Sequence, residues 1–189
     1  MIEKLNLNTT ILDTSTFSNA NLVLPSELKD SDLSTIIDIS PRTLEVVLMK
    51  NGILEYSRNH PWEDEDLKNY YSRKAGSSEE LEKLSKKISN IIIKELEQAL
   101  SSCSNIKENE SIGYISIIGG GPLATQVAKY LEKETKVRTQ TLSVPNATSS
   151  NLPKSFSNNN MMTALSLATR GIKKQNINTN LLPKSLQPK

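Results

Sequence analysis

Two short turns contain the residue types best suited to chemistry in this chain. The first covers residues 38–43, Asp-Ile-Ser-Pro-Arg-Thr, and follows an apolar run. The second is Gly119-Gly120-Gly121, which lies between an apolar run and a helical pattern. Glycine lets the backbone approach a ligand or another strand closely, and a helix N-terminus offers unpaired N–H groups that favour anions. The glycine turn is therefore part of a nucleotide site or a tight turn without a ligand, and both interpretations stay open.

Neither turn has the spacing of a common phosphate-binding motif. The glycines do not follow the G-x-G-x-x-G pattern, and no Gly-Lys-Ser/Thr follows them as in a Walker loop. Asp38 is suited either to orienting a metal-bound water or to capping its own turn.

The remaining reactive residues favour no enzyme class. We expect His60, the only histidine, to be exposed beside Pro61, and neither His60 nor Cys103 has neighbours that predict a nucleophile site. The acids in residues 62–67 are typical of a solvated first helical turn rather than of a metal site.

Composition narrows the classes of partner. The first 134 residues hold 15 basic and 21 acidic side chains, whereas the last 55 hold eight basic and none acidic. These basic residues are scattered and Phe156 is the only aromatic among them, which argues against nucleic acid as a partner. The single cysteine fits a reducing compartment, and no stretch approaches the roughly 20 apolar residues of a membrane span. We therefore expect a cytoplasmic chain with no direct membrane span.

Periodicity predicts the elements that position the two turns. Apolar runs predict strands, Asn51-Gly52 predicts a hairpin turn, and apolar residues at three- and four-residue steps predict a long helix with a core-facing stripe. The opening residues give weak signals, read as a short helix and then a strand. The predicted strands are 35–40, 43–50, 53–58, 113–118 and 136–144, and the predicted helices begin at 61, 77, 122 and 161.

This order, β-β-β-α-α-β-α-β-α, predicts an α/β fold with a mixed five-stranded sheet. Three strands form an antiparallel meander, and the others are parallel and entered through helices. Because ligand sites lie at the carboxyl ends of parallel strands, we expect Asp38 and the glycine turn to lie side by side at one end of the sheet.

Four stretches together resemble the PilM family of type IV pilus assembly, within the actin/Hsp70/FtsA ATPase superfamily. They are residues 36–40 (Ile-Ile-Asp-Ile-Ser), 51–58 (Asn-Gly-Ile-Leu-Glu-Tyr-Ser-Arg), 117–123 (Ile-Ile-Gly-Gly-Gly-Pro-Leu) and 161–171, which ends in Leu-Ala-Thr-Arg-Gly. The resemblance covers about residues 2–171 and implies the second half of a ribonuclease H-like, actin-like fold. It further implies degenerate nucleotide-binding residues, with ATP and Mg²⁺ as the corresponding cofactors; these residues are Asp38, Ser40, Thr43, Gly119, Gly120 and Gly121.

The chain departs from the family pattern in three respects. Ser40 stands where the family has a phosphate-loop glycine, and Pro41 removes an N–H donor. The first half of the fold, with the first phosphate loop, is expected to be missing. We therefore expect no ATP hydrolysis by this chain alone, because phosphoryl transfer needs donors on both sides of the γ-phosphate.

The resemblance implies a non-catalytic scaffold at the cytoplasmic face of the inner membrane with a PilN-like partner. Because the missing half would leave an apolar patch that needs a partner or polar replacement, self-association is a further expectation. The alternative is an actin-like ATPase whose cleft another chain completes. We expect an actin-like domain over residues 1–171, with a helical insertion at about 61–102, and a flexible tail over 172–189. Residues 176–183 of this tail resemble the short peptide by which PilN-like proteins dock on PilM, or match it by chance.

Overall fold

The structure is a computed structural model that describes residues 12–23, 33–61, 65, 69–70, 77–107, 109–142, 162–169 and 180–186. The elements bounded within these ranges are five strands, four helices and a short 3-10 turn, and the isolated described residues 65 and 69–70 are also helical. In chain order they are α1 (Ser15–Val23), β1 (Leu33–Ile39), β2 (Thr43–Lys50), β3 (Ile53–Pro61), α2 (Ser78–Ser102), β4 (Tyr114–Gly119), α3 (Pro122–Thr135), β5 (Arg138–Thr141), α4 (Met162–Thr169) and the 3-10 turn (Lys184–Leu186).

The five strands form one mixed sheet in the order β3-β2-β1-β4-β5. The β1–β2 and β2–β3 pairs are antiparallel, and the β1–β4 and β4–β5 pairs are parallel. Asn51 and Gly52 have φ angles of 51° and 77°, as a tight hairpin turn between β2 and β3 requires. The predicted α/β architecture is thus confirmed.

One face of the sheet packs against α2 and α3 and carries the larger apolar core. The predicted stripe of α2 is buried there, and Ser77 caps the helix by accepting a hydrogen bond from the Glu80 N–H. The buried residues of this core are Ile37, Ile39, Leu44, Val46, Leu48, Leu84, Ile88, Ile92, Leu96, Ala99, Ile112, Ile115, Ile117, Leu123, Ala124, Val127, Ala128 and Leu131.

The opposite face is covered by α1 and α4 and has a smaller core. Its buried apolar residues are Ala20, Ile36, Val47, Met49, Ile118 and Met162. Since side chains alternate along a strand, Asp38 shares this face with Ile36, and Glu45 shares it with Val47. The carboxylates of β1 and β2 therefore lie on the α1–α4 face.

Helix α1 is the main element that the sequence did not predict. Its sequence is mostly polar, but the Thr14 hydroxyl accepts a hydrogen bond from the Phe17 N–H at 3.4 Å and caps it. Pro61 is the last residue of β3, which corrects the predicted helix start at Pro61, but the described residues of the segment that follows, Glu65, Asn69 and Tyr70, are helical. Strand β5 is shorter than predicted. The predicted acidic turn at 62–67 falls almost wholly outside the described residues.

The predicted tail is described only over residues 180–186. These residues include the 3-10 turn, and the Leu181 N–H donates to the Leu12 carbonyl at 2.8 Å. The rest of the segment 172–189 lies outside the described residues, so the flexible tail stays a prediction.

Candidate functional site

The two turns lie side by side at one end of the sheet. Strands β1 and β4 are parallel neighbours, and Ile39 is paired with Gly119 in their register. Asp38 and the glycine turn therefore leave the sheet at the same edge, as we expected from their positions after parallel strands.

Strand β1 lies so close to the backbone of residue 119 that only glycine fits there. A Cβ on Gly119 would lie 2.4 Å from the Ile39 carbonyl oxygen and 2.9 Å from Asp38 Oδ1, and its φ is +72°. No L-residue fits such a contact without movement of the backbone. The Asp38 carboxylate thus lies directly against the backbone of the glycine turn.

The next two glycines differ in their surroundings. A Cβ on Gly120 would lie 3.1 Å from the Ala124 Cβ, whereas a Cβ on Gly121 would have nothing within 4 Å. Helix α3 begins immediately, with the Leu123 N–H donating to the Gly120 carbonyl at 3.2 Å. The open side of the glycine turn is therefore at Gly121.

The Asp38 carboxylate is held between α1 and α4. Its Oδ2 accepts long hydrogen bonds from Asn19 Nδ2 of α1 and from the Thr163 hydroxyl of α4, both at 3.4 Å. Burial, followed by the nearby Glu45 carboxylate, raises the pKa of Asp38, and the hydrogen bonds from Thr163 and Asn19 lower it; the net result is a pKa of about 6. Asp38 is thus a largely enclosed acid rather than a carboxylate pointing freely into a cleft.

Glu45 is a member of the site that the sequence reasoning missed. It lies directly opposite Asp38 in the β1–β2 register, is 9% exposed, and accepts a hydrogen bond from the Thr16 hydroxyl of α1. The signal for it was present, because a tight turn over residues 40–43 places residue 45 opposite residue 38. The second signal was that Glu45 is an acid within a largely apolar strand.

Ser40 and Thr43 bond to each other across the turn between β1 and β2. The Ser40 N–H donates to the Thr43 carbonyl at 3.0 Å, and the Thr43 N–H donates to Ser40 Oγ at 3.2 Å. The two hydroxyl oxygens are 2.8 Å apart, and Pro41 between them has no N–H. The backbone donors of Ser40 and Thr43 are therefore used within the turn itself.

These residues do not fit a magnesium–phosphate group as they stand. Asp38 is bonded to the covering helices, and the backbone donors of Ser40 and Thr43 point at each other's oxygens. Within the described residues, no three His, Cys, Asp or Glu side chains come together in a group that could hold a metal ion. The open backbone of the site is at Gly121, at the N-terminus of α3.

His60 and Cys103 lie away from this edge. His60 Nδ1 is 3.4 Å from Glu95 Oε1, a carboxylate neighbour that the sequence did not predict, and the His60 side chain is 37% exposed rather than free in solvent. Burial raises the pKa of the Cys103 thiol, and the Glu55 carboxylate raises it further, so little thiolate forms near neutral pH.

Among the helices in the described ranges, none combines the length and apolar composition that crossing a bilayer requires.

Comparison with known proteins supports the fold. The sequence matches no protein-family model and no curated protein. A chain of the solved PilM–PilN type IV pilus biogenesis complex is similar, with a TM-score of 0.56 and 14% identity over 87% of this chain and 53% of that one. Ethanolamine utilization protein EutJ from Carboxydothermus hydrogenoformans is similar with a TM-score of 0.46 and 12% identity over 88% of this chain and 57% of that one. Apo pSK41 ParM is similar with a TM-score of 0.42 and 13% identity over 85% of this chain and 49% of that one.

The topology of the sheet agrees with the similarity to a chain of the PilM–PilN complex. The chain spans about half the length of the matched chain in the PilM–PilN complex. Its mixed five-stranded sheet, with Asp38 and the glycine turn at one edge, has the fold of an actin-like half-domain.

Proposed function

We propose that this chain is a non-catalytic interaction protein that acts like PilM in type IV pilus assembly. Its partner would be a PilN-like protein, and its place would be the cytoplasmic face of the inner membrane. The fold likeness to a chain from a PilM–PilN complex motivates this choice of partner.

The single observation that carries the non-catalytic part is the closed state of the turn between β1 and β2. Ser40 and Thr43 satisfy each other's polar groups, and Asp38 is bonded to Asn19 and Thr163. To bind a phosphate with a metal, these groups would first have to break their present hydrogen bonds, at about 1 kcal/mol or more for each one. A scaffold needs no such rearrangement.

Copurification tests the partner. The full chain is coexpressed with a PilN-like protein, and only the PilN-like protein carries a tag. We expect the two to copurify and to give a measurable Kd by calorimetry with the cytoplasmic peptide of the PilN-like protein. Lack of binding in both assays, with a chain that shows a cooperative unfolding transition, would contradict the proposal.

The same peptide tests whether the resemblance of residues 176–183 has a function. If this segment occupies the docking site, a chain that ends at Gly171 binds the peptide more tightly than the full chain. Equal affinities leave the resemblance as a chance match and do not affect the proposed partner.

A second candidate function is nucleotide binding without hydrolysis, favoured by the open backbone at Gly121. In this case the adenosine part would contact the glycine turn, and the phosphates would make little use of Ser40 or Thr43. Equilibrium dialysis separates the two candidates. A Kd for ATP with Mg²⁺ below about 10 µM, with a similar Kd for adenosine, would support nucleotide binding at the glycine turn, whereas no measurable binding of either would leave the scaffold. A Kd for ATP with Mg²⁺ much lower than that for adenosine would instead favour the actin-like ATPase alternative.

A further inference from the structure

The described C-terminal segment, residues 180–186, is attached to Leu12, three residues before α1 begins. The Leu181 N–H donates to the Leu12 carbonyl at 2.8 Å, and the Leu12 N–H donates to Asn180 Oδ1 at 3.0 Å. Asn180 Oδ1 also accepts the Leu182 N–H at 3.0 Å, which fixes the amide oxygen in place. Two opposed hydrogen bonds therefore join segments that are far apart in the sequence.

Leu12 leads directly into the capping residues of α1. Asp13 Oδ2 accepts a hydrogen bond from the Ser18 hydroxyl at 2.7 Å, and the Thr14 carbonyl accepts the Ser18 N–H at 3.1 Å. Holding the backbone at Leu12 thus also holds the first turn of the helix.

Helix α1 in turn covers the carboxylates of Asp38 and Glu45. Its Thr16 hydroxyl donates to Glu45, and its Asn19 Nδ2 donates to Asp38 Oδ2 and, at 3.2 Å, to the Thr163 hydroxyl of α4. The Ser166 hydroxyl of α4 donates to Asn19 Oδ1 at 3.0 Å, and Ser166 and Asn19 are both buried. An unbroken series of contacts therefore runs from Asn180 to Asp38.

Helix α1 depends on such contacts because it is weak by itself. It has nine residues, of which most are polar, and it has no acidic residue in its first turn. Isolated helices shorter than about 12 residues are marginal in water, so tertiary contacts must hold this one. The contact between the two segments is weak, because Leu12 and Leu181 are 44% and 47% exposed and bury little apolar surface.

We propose that residues 180–186 form a strap that holds α1 on the sheet and thereby keeps Asp38 covered. Release of the strap frees the start of α1, withdraws Asn19 and Thr16, and opens the carboxylate edge beside the glycine turn. The groups that face Asp38 in the closed state are Glu45 of β2, Asn19 of α1, Thr163 of α4 and the backbone of Gly119 in β4. This coupling does not depend on the identity of the partner proposed above.

The test uses Asn180→Ala in the full chain, because this change removes the oxygen that accepts both the Leu12 and the Leu182 N–H. Asn180→Asp keeps an acceptor oxygen and should behave like the wild type. Ser185→Ala, at an exposed position of the same segment, controls for any change in the strap. Hydrogen exchange is measured for the amides of residues 18–23 and, as a check on folding, for those of β1 and β2.

We expect Asn180→Ala to speed exchange in α1 at least about tenfold with β1 and β2 unchanged. The second readout is the Asp38 carboxyl titration followed by NMR. In Asn180→Ala the pKa of Asp38 should fall from about 6 toward the usual range of aspartate, because the carboxylate gains access to water. Unchanged α1 exchange and an unchanged Asp38 titration would overturn the proposal, as would equal effects of Asn180→Ala and Asn180→Asp.

Discussion

At the scale of single residues, the enclosed position of Asp38 lowers the stability of the folded chain near neutral pH. A carboxyl group with a pKa of about 6 in the folded chain holds its proton more tightly than the unfolded chain does. Ionising it therefore favours unfolding, and the stability that the protonated form contributes at low pH is lost as the pH rises through about 6. A buried acid that lowers stability near neutral pH is more readily explained by a role in function than by a role in packing.

Asp38→Asn tests this effect. The amide keeps the shape and an acceptor oxygen for Asn19, but it cannot ionise. We expect the variant to be more stable than the wild type by about 2 kcal/mol at pH 7.5 and by much less at pH 4. Urea denaturation at both pH values measures the difference. Glu55→Gln is the matched control at the opposite end of the sheet, and an equal pH dependence in Asp38→Asn and wild type would refute the burial argument.

The glycine turn gives a second prediction at this scale, with two glycines of positive φ as a matched pair. Gly119→Ala places a methyl group 2.4 Å from the Ile39 carbonyl and should cost about 3 kcal/mol or more, because β1 and β4 must separate. Gly121→Ala meets no atom and should cost about 1–2 kcal/mol through its φ of 55° alone. Thermal and urea unfolding of both variants measure the two costs; a ranking in the reverse order is incompatible with the close approach of the strands.

At the scale of elements, α2 shows what the sequence could predict. Its apolar residues recur along one stripe, its start carries Ser77 followed by acids, and the helix forms almost where predicted. Strands β1 to β4 were predictable for the same reason, since their apolar runs are bounded by turn residues. Patterns of this kind involve residues that are close in the sequence, so they can be recognised from the sequence alone.

Helix α1 shows what could not be predicted. Its sequence has little intrinsic helix preference, and it forms because Asn19 and Thr16 find partners on β1, β2 and α4. The burial of Asp38 has the same origin, because the covering groups come from segments that are remote in sequence. The position of the site at the sheet edge was predictable from strand order, whereas its closed state was not.

The N-terminus of α2 allows an element-scale prediction. Ser77→Ala removes the oxygen that accepts the Glu80 N–H at 3.1 Å and should lower the free energy of unfolding by about 1 kcal/mol. Ser77→Asp keeps an acceptor and should leave stability within about 0.5 kcal/mol of the wild type. Urea denaturation of the three proteins measures this, and similar losses in Ala and Asp variants would show that the cap contributes little.

At the scale of the whole molecule, the apolar cores described on the two faces of the sheet differ in size. Among the residues that the structure describes, eighteen buried apolar residues form the core under α2 and α3, and six form the core under α1 and α4. Buried apolar surface is the main stabilising term in folding, so the α1–α4 layer should be the less stable one.

Native-state hydrogen exchange checks this difference directly. We expect the amides of α1 and α4 to exchange with opening free energies at least about 2 kcal/mol below those of α2 and α3. The amides of β1, which both layers cover, serve as the internal reference for global unfolding. Equal protection in the two layers would mean that they unfold as one cooperative unit.

The pairing of Ile39 with Gly119 also has a consequence for the order of folding. It joins segments about eighty residues apart, so the entropy of closing that long loop must be overcome before Asp38 and the glycine turn can meet. Hairpin β2–β3 and helix α2 need no such closure and can form earlier. This edge of the sheet is therefore a late product of folding, and a molecule that recognises it would bind the finished chain and pass over incomplete forms.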